Sequence, residues 1–535
     1  MKTKIYRGET DVEQTANTGH PRRWAILAVL VVSLLVVVLD NTVLNVALRT
    51  LADPDRGLGA TQSELEWAIN SYTLVFAGLL FSFGVLGDRF GRKRFLLVGL
   101  ALFGLASLLS AYAQNPGQLI GARALMGIGG AAIMPVTLSI ISNVFDPRER
   151  GKAIGVWSGA VGLAIAIGPI LGGTLLEHFW WGSVFLINVP IVVAGLIAVA
   201  ILVPESRNPR PGRIDIPGVL MSVVGLIGLT YGIIKGGEDG FGSAEVLLTG
   251  GGGLVVLAAF VWYESRVAFP SLDVRLFKIP RFSAPIAAIG LTFFASMGVF
   301  FFSSFYLQLV RDYSPLQTGL LFLPFAIAQL IFAPRSHGMV QKFGAKAVTA
   351  TGLALVVLSL VGFIFVDAST AVWFLLVVFF VQGVGMANIM APSTESIMSA
   401  LPREKAGVGS AVSNTIRQVA SALGIAILGS ILAAVYRGQI EPTTAALPPG
   451  ARDVANESIS GAYGVAAQAG PAGGRLVSAA NDAFMTAMHW AAGSAAIVLL
   501  LGMAAAVIWM PGRQAGADHV QPVEQAEAGE LATAS

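Results

Sequence analysis

The chain has 535 residues, of which 55% are hydrophobic and only 12% are charged. Its mean hydropathy of +0.73 excludes a soluble globular protein, which could not bury so much apolar surface. The absence of cysteine excludes disulfides, thiolate metal sites and cysteine nucleophiles, and the net charge of +3 points to no class of partner.

Long apolar runs separated by short polar breaks follow one another along the chain. About 20 apolar residues in a helix cross the ~30 Å hydrocarbon core of a bilayer, so each run predicts a transmembrane helix. The first run is too long for a signal-peptide core and is predicted to be retained. The fourteen predicted spans are residues 24–48, 65–87, 95–113, 118–144, 153–176, 180–203, 214–234, 245–264, 283–310, 316–340, 345–366, 371–398, 408–432 and 485–510.

Basic residues divide unevenly between the two sets of loops. If the N terminus is cytoplasmic, most of the 34 Lys and Arg residues fall in cytoplasmic segments, and Arg123 and Arg417 fall within spans. Cytoplasmic loops of membrane proteins are enriched in Lys and Arg. The distribution therefore predicts an even number of spans with both termini in the cytoplasm.

The chain resembles itself at an offset of about 255 residues, a pattern common in transporter folds. Asp146–Arg150 (DPRER) returns as Leu401–Lys405 (LPREK). The prediction is an all-α integral membrane protein with two six-helix bundles and two linking helices. The predicted divisions are a cytoplasmic tail at 1–23, bundles at 24–203 and 283–510, linking helices at 204–282, an external loop at 433–484 and a disordered cytoplasmic tail at 511–535.

Asp40 in span one and Arg123 in span four are ionisable residues well inside spans of the first half. An ionised Asp at the centre of a membrane helix costs about 2.5–3.5 kcal/mol, so it is seldom kept without a cavity or a partner. A buried polar residue that kinks the helix is the alternative interpretation. The two residues lie at similar depth, but the sequence leaves open whether they face each other.

Proton coupling needs a group that titrates. Arginine does not release its proton at accessible pH, so Arg123 would only control whether a nearby carboxylate carries one. Asp40 is the first titratable candidate, and Glu66 at the outer end of span two is the second.

A glycine-punctuated basic hairpin, Gly84–Arg94, separates spans two and three. An ordinary cytoplasmic loop would explain its basic residues but not the spacing of its glycines around Asp88. The hairpin resembles the motif between helices two and three of the major facilitator superfamily. The resemblance implies that acid and base here latch the two halves together on the cytoplasmic side. The predicted cytoplasmic gate consists of Gly84, Asp88, Arg89, Gly91 and Arg92.

Other segments resemble motifs of the fourteen-span drug:proton antiporter branch of that superfamily. Leu39–Leu48 is similar to its first-helix motif, although Arg49 stands where proline is usual. Gly121–Gly129 is similar to its fourth-helix motif, with Met126 in place of the usual Gln. Further matches are Phe185–Pro190, Asp215–Gly218 and Arg417–Gln418, whereas Trp181-Gly182-Ser183 replaces an expected Trp-Arg-Trp.

Span five carries paired small residues that close helix packing alone would explain. Their order nevertheless resembles a motif associated with antiporters rather than importers, and the export direction rests mainly on it. The four motif residues are Gly168, Pro169, Gly172 and Gly173. Residues that are candidates for lining a central cavity are Asn41, Tyr72, Arg417 and Gln418, although a structural hydrogen-bonding role for Arg417 is left open.

These patterns predict a proton-coupled secondary active exporter that works by alternating access, with small amphipathic molecules as substrates, as in multidrug efflux. A proton that moves inward across a membrane potential of 100 mV releases about 2.3 kcal/mol, which can drive export. The alternative is a dedicated exporter of one endogenous metabolite or lipid. A membrane enzyme is disfavoured because the sequence has no His-Glu-x-x-His motif and no phosphate-binding loop.

The predicted partners are a lipophilic or cationic drug or a metabolite, protons and the lipid bilayer, without nucleic acid, metal or cofactor. The protein is predicted to be a multi-pass monomer of the cell membrane. Span ten contains no acidic residue, so no preference for divalent cations is expected.

Overall fold

The computed structural model describes residues 19–53, 56–60, 62–207, 215–267, 270–402, 405–469 and 473–509. Helices make up most of these ranges, which contain no strand. In chain order they are α1 Arg23–Ala52, α2 Gln62–Phe90, α3 Arg92–Ala111, α4 Pro116–Val144, α5 Pro147–His178, α6 Ser183–Leu186, α7 Asn188–Leu202, α8 Ile216–Asp239, α9 Ala244–Val246, α10 Gly252–Glu264, α11 Pro280–Phe305, α12 Pro315–Phe343, α13 Ala345–Ile364, α14 Val372–Ser399, α15 Ala406–Thr444, α16 Pro449–Glu457, α17 Ile459–Gln468 and α18 Gly473–Trp509.

Shorter elements extend some of these helices. A π-helical turn at Leu247–Gly251 joins α9 to α10, and another at Tyr306–Val310 continues α11. A 3₁₀ turn at Val274–Lys278 precedes α11.

Thirteen helical segments within the described ranges are long and apolar enough to cross a membrane. Their positions match thirteen of the predicted spans to within a few residues, apart from a longer extension at each of the last two. The fifth predicted span coincides with α5, which is not one of the thirteen. The count of fourteen and the orientation of the termini therefore stay predictions.

Side-chain caps define where several of these helices begin. Asn115 accepts a hydrogen bond from the Gln118 backbone N–H at 2.9 Å ahead of α4, and Pro116 occupies the first turn. Ser314 and Gln317 form a reciprocal capping box at the start of α12. These residues satisfy backbone donors that a helix leaves unpaired at its first turn, so the breaks between spans are encoded locally.

Close packing joins helices of the first half to helices of the second. α5 packs along α12, and α2 packs on α15. A β-carbon at Gly155 would meet the backbone at Ala333, and one at Gly162 would meet the side chain of Gln329. Small residues therefore let α5 and α12 approach closely.

The segment 433–484, which the sequence predicts to be an external loop, is largely helical. α15 continues to Thr444, α16 and α17 follow, and α18 already begins at Gly473. Its abundant alanine is the best helix former, and Pro449 occupies the first turn of α16, where proline is tolerated. The two terminal tails, residues 1–18 and 510–535, lie outside the described residues.

Candidate functional site

The structure brings Asp40 and Arg123 together. The Arg123 Nη1 donates to Asp40 Oδ2, which joins α1 to α4. Arg123 is 0% exposed and Asp40 is 2% exposed, so the ion pair is sealed from solvent. Breaking a buried pair by removing one partner typically costs 3–5 kcal/mol, so the two charges depend strongly on each other.

Neighbouring polar groups hold the Asp40 carboxylate in place. Asn188 Nδ2 lies 3.2 Å from Asp40 Oδ1 and 3.1 Å from Ser107 Oγ. Ser107 Oγ in turn donates to the Phe185 carbonyl at 2.8 Å. Helices α3 and α7 therefore contribute directly to the surroundings of the pair.

Arg123 has a second set of contacts, on α2. Its Nε donates to the Ala68 carbonyl at 3.1 Å, and its guanidinium lies 4.5 Å from the centre of the Tyr72 ring. Tyr72, predicted to line a cavity, is 0% exposed. The electron-rich face of the ring stabilises the cation in addition to the Asp40 carboxylate.

Two further predicted residues stand near this region. The Asn41 Nδ2 donates to the Val37 carbonyl at 3.0 Å, within its own helix. Glu66 belongs to α2, but its side chain lies outside the described part of the structure.

A second polar site lies at one membrane face, which we call the basic face and define by Arg92, Lys93 and Arg94 at the start of α3. Asp88 is 5% exposed there and accepts from Arg92 Nε at 2.8 Å and from Ser139 Oγ at 3.0 Å. Its other oxygen accepts from the Gly407 backbone N–H at 2.7 Å. Because Gly407 opens α15, this carboxylate joins the two halves.

The glycines of the hairpin make that contact possible. A β-carbon at Gly84 would lie 2.5 Å from the Ala411 β-carbon and 2.6 Å from the Gly407 carbonyl oxygen. Gly91 has φ of +111°, a backbone conformation that favours glycine, and it separates α2 from α3. The Arg89 guanidinium lies 5.9 Å from the centre of the Phe90 ring.

A separate contact at the same face joins α5 to α12 and α14. His337 lies 3.0 Å from Glu395 Oε2 through Nδ1 and 3.2 Å from the Arg148 carbonyl through Nε2. No sequence motif marks this cluster, because its histidine is isolated along the chain.

The glycines predicted to mark an antiporter lie between α1 and α12. A β-carbon at Gly168 would overlap the Thr42 side chain, and one at Gly172 would contact Val43. Gly173 faces Leu316 of α12 with room to spare, at 3.9 Å. Pro169 belongs to α5, but its side chain lies outside the described residues.

Arg417 is buried between the two halves. Its Nη2 donates to Asn414 Oδ1 at 2.6 Å and lies 2.9 Å from Met134 Sδ of α4. Its guanidinium lies 5.4 Å from the centre of the Phe293 ring of α11. Gln418, next along α15, is half-buried.

Sequence reasoning missed three partners of these sites, Asn188, Ser139 and Gly407. A polar Asn within an apolar span was a signal for Asn188, because such residues are costly in a membrane. Gly407 donates through its backbone N–H, which every residue except proline has, so the residue type does not predict this contact. Among the described residues, no group of three or more His, Asp or Glu side chains is placed to hold a metal ion.

Comparison with known proteins gives a consistent result. The family model described as Major Facilitator Superfamily matches residues 30–425. "Multidrug efflux pump LfrA" of Mycolicibacterium smegmatis is 37% identical over 93% of this chain and 98% of its own. "Methyl viologen resistance protein SmvA" of Salmonella typhimurium is 34% identical over 90% of this chain and 97% of its own. Among solved structures, the human organic anion transporter MFSD10 aligns with a TM-score of 0.58 at 15% identity, over 90% of this chain and 100% of that one, which concerns the fold alone.

Proposed function

This chain belongs to the major facilitator superfamily, and on that premise we propose that it is a proton-coupled antiporter that exports small amphipathic molecules. It is a multi-pass membrane transporter rather than an enzyme, and its relatives are named as multidrug efflux pumps and resistance proteins. Beyond membership of this superfamily, we propose proton coupling, antiport, broad drug specificity and a monomeric state.

The observation that carries the proposal is the buried pair of Asp40 and Arg123. A carboxylate buried within a membrane helix beside a fixed cation can be ionised and paired, or protonated and unpaired. Because Arg123 keeps its charge, a proton on Asp40 leaves the cation with neutral partners, chiefly the Ala68 carbonyl and the Tyr72 ring. Proton arrival thus weakens the contact between α1 and α4.

Alternating access couples this local event to transport. We assign the basic face to the cytoplasm, so that Asp88 closes the cytoplasmic side by holding Gly407 of the opposite half. The two halves are the six-helix bundles at 24–203 and 283–510, with α8 and α10 as linking helices. Proton entry from outside drives the transition to the inward-facing state, where release of the proton and binding of cargo restore the ion pair. Each charge that crosses 100 mV contributes about 2.3 kcal/mol.

The test uses purified protein in liposomes, with ethidium as the lipophilic cation. An imposed pH gradient is expected to drive ethidium transport, and dissipating the gradient with nigericin is expected to stop it. The matched control is liposomes that contain the Asp40→Asn variant. Ethidium transport that continues at the same rate without a proton gradient would contradict proton coupling.

A further inference from the structure

Arg417 is a buried cation without an acidic partner. It is 4% exposed, and no Asp or Glu of the described chain forms an ion pair with it. It lies eleven residues into α15, about 17 Å along the helix from its start at the basic face. The charge therefore lies near the centre of the membrane, at the place where α4 of the first half meets α11 and α15 of the second.

The present contacts of Arg417 leave most of its binding capacity unused. A guanidinium carries five N–H donors in a rigid plane. Only Nη2 is engaged, with Asn414 Oδ1 at 2.6 Å and Met134 Sδ at 2.9 Å, and both of these acceptors are neutral. Within the described chain, Nε and Nη1 donate no hydrogen bond. Each of the two edges that bind a carboxylate through two parallel bonds pairs one of these nitrogens with Nη2, so a carboxylate would take the place of Met134 or Asn414 at Nη2.

The surroundings orient the guanidinium. The Phe293 ring lies 5.4 Å from the guanidinium, and Asn414 is itself fixed because its Nδ2 donates to the Ser410 carbonyl at 2.9 Å. A charged side chain in a membrane protein is costly unless it pairs with another group or serves a pathway. The buried Arg123 differs in this respect, because it is paired with the Asp40 carboxylate.

We infer that Arg417 is the subsite that binds an anionic group of the cargo, with a carboxylate as the best-matched chemistry. Opening of the contact between α4 and α15 releases Nη2 from Met134 Sδ, so that a carboxylate can bind Nη2 together with a neighbouring nitrogen. The aromatic and thioether groups beside it contact the apolar body of the molecule. This inference rests on the proposed export function and adds a recognised class to its cargo, amphipathic molecules that carry an acidic group, including zwitterions, beside lipophilic cations such as ethidium.

The alternative is that Arg417 only holds α4 against α15. A purely structural role would change the stability of the protein and the binding of every cargo alike. A recognition role would change the preference between two cargo molecules that differ only in their acidic group. The ratio of two affinities therefore separates the two roles.

The test measures binding of two dyes to the purified full-length protein in lipid nanodiscs by fluorescence anisotropy. Rhodamine 110 carries a benzoate, and rhodamine 123 is the methyl ester of the same molecule. We expect Arg417→Gln to weaken binding of the acid by about tenfold or more relative to the ester, because a charge-assisted pair is lost. Arg417→Lys is expected to recover part of the preference, since it keeps the charge but not the planar fork.

Size-exclusion profiles and unfolding temperatures show whether each variant is folded, and Ile425→Ala, at an exposed position of α15, is the control variant on the same helix. An unchanged acid-to-ester ratio in folded Arg417→Gln would overturn the inference, and so would a wild-type protein that binds neither dye. Failure of the proposed function is distinguishable, because it appears as loss of proton-driven ethidium transport in liposomes, whereas the affinity ratio is measured without a gradient.

Discussion

Replacing Asp40 by Asn is the most informative single change to the buried pair. The amide has nearly the same shape as the carboxylate, but only its oxygen accepts, so it keeps the hydrogen bond from Arg123 or the one from Asn188, not both. It carries no charge and cannot exchange a proton in the transport cycle. The substitution therefore removes the proposed proton site while leaving the packing of α1 against α4 nearly intact.

The expected magnitude follows from the contacts of Arg123. Removal of one partner from a buried ion pair typically costs 3–5 kcal/mol, because the other charge stays buried. Arg123 retains its bond to the Ala68 carbonyl at 3.1 Å and its contact with the Tyr72 ring at 4.5 Å. We therefore expect the free energy of unfolding to fall by about 3 kcal/mol, at the lower end of that range.

The double variant Asp40→Asn with Arg123→Gln separates stability from transport. With both charges removed, no uncompensated ion remains, so the free energy of unfolding should return to within about 1 kcal/mol of the wild-type value. Substrate-induced proton flux, measured with a pH-sensitive dye in liposomes, should be absent from both variants.

Two results would refute this reasoning. Asp40→Asn could show the wild-type ratio of protons to ethidium, in which case Asp40 is not the coupling group and Glu66 becomes the candidate. Alternatively, the double variant could be less stable than Asp40→Asn alone, which would mean that the ion pair does not account for the loss.

Two substitutions of glycine test the contacts between helices. Gly84→Val should force α2 away from α15, because even a β-carbon there would lie 2.5 Å from that of Ala411, and overpacking of this kind costs about 1–3 kcal/mol. The chain has no native cysteine, and Ser410 is 0% exposed, so a cysteine introduced at 410 reports opening of this contact. In Gly84→Val this cysteine should react with an impermeant maleimide, applied to the basic face, at least about fivefold faster than it does without the Gly84 substitution. Gly168→Ala should lower the unfolding temperature because its β-carbon would overlap Thr42, whereas Gly173→Ala should leave it nearly unchanged because the nearest Leu316 atom is 3.9 Å away.

Matched controls accompany both changes. Gly121→Val is the control for Gly84, since a β-carbon at Gly121 meets nothing within 4 Å. Equal maleimide rates in Gly84→Val and Gly121→Val would contradict the view that Gly84 holds the basic face closed. Equal unfolding temperatures for Gly168→Ala and Gly173→Ala would show that α1 yields to the added methyl group.

The sequence predicts the membrane helices well because the bilayer imposes one length and one composition on each of them. It places Asp40 and Arg123 at similar depth for the same reason, since each residue advances a helix by 1.5 Å. It cannot predict that the two face each other, because the rotation of α1 and α4 about their axes depends on packing against other helices. Asn188 reaches Asp40 from 148 residues away, a separation that no local pattern encodes.

The hairpin shows a similar division between what sequence does and does not predict. Its glycines and Asp88 mark a special turn, but the group that Asp88 meets in the other half is a backbone N–H, 319 residues away. Its role as a gate stays a prediction. Residues 433–484 are largely helical, whereas the sequence predicts a loop, and the reason is compositional. Their Ala, Gly and Pro content is typical of loops, but alanine is also the best helix former, and α15 and α18 offer surfaces for these helices to pack against.

α15 is long enough to extend beyond the membrane as a projecting helix. With 39 residues, α15 is about 58 Å long, roughly twice the thickness of a bilayer core. The Tyr463 hydroxyl of α17 bonds to the Leu309 carbonyl beyond α11 and to Asn481 of α18, each at 2.9 Å, and the Tyr436 hydroxyl bonds to the Ala455 carbonyl of α16. The projecting helices are thus tied to several helices of one half and should tilt with it. An antibody fragment raised against α16 and α17 would therefore serve as a fiducial marker for electron-microscopy alignment. The angle of the bound fragment would also report any tilt of the helices to which α16 and α17 are tied.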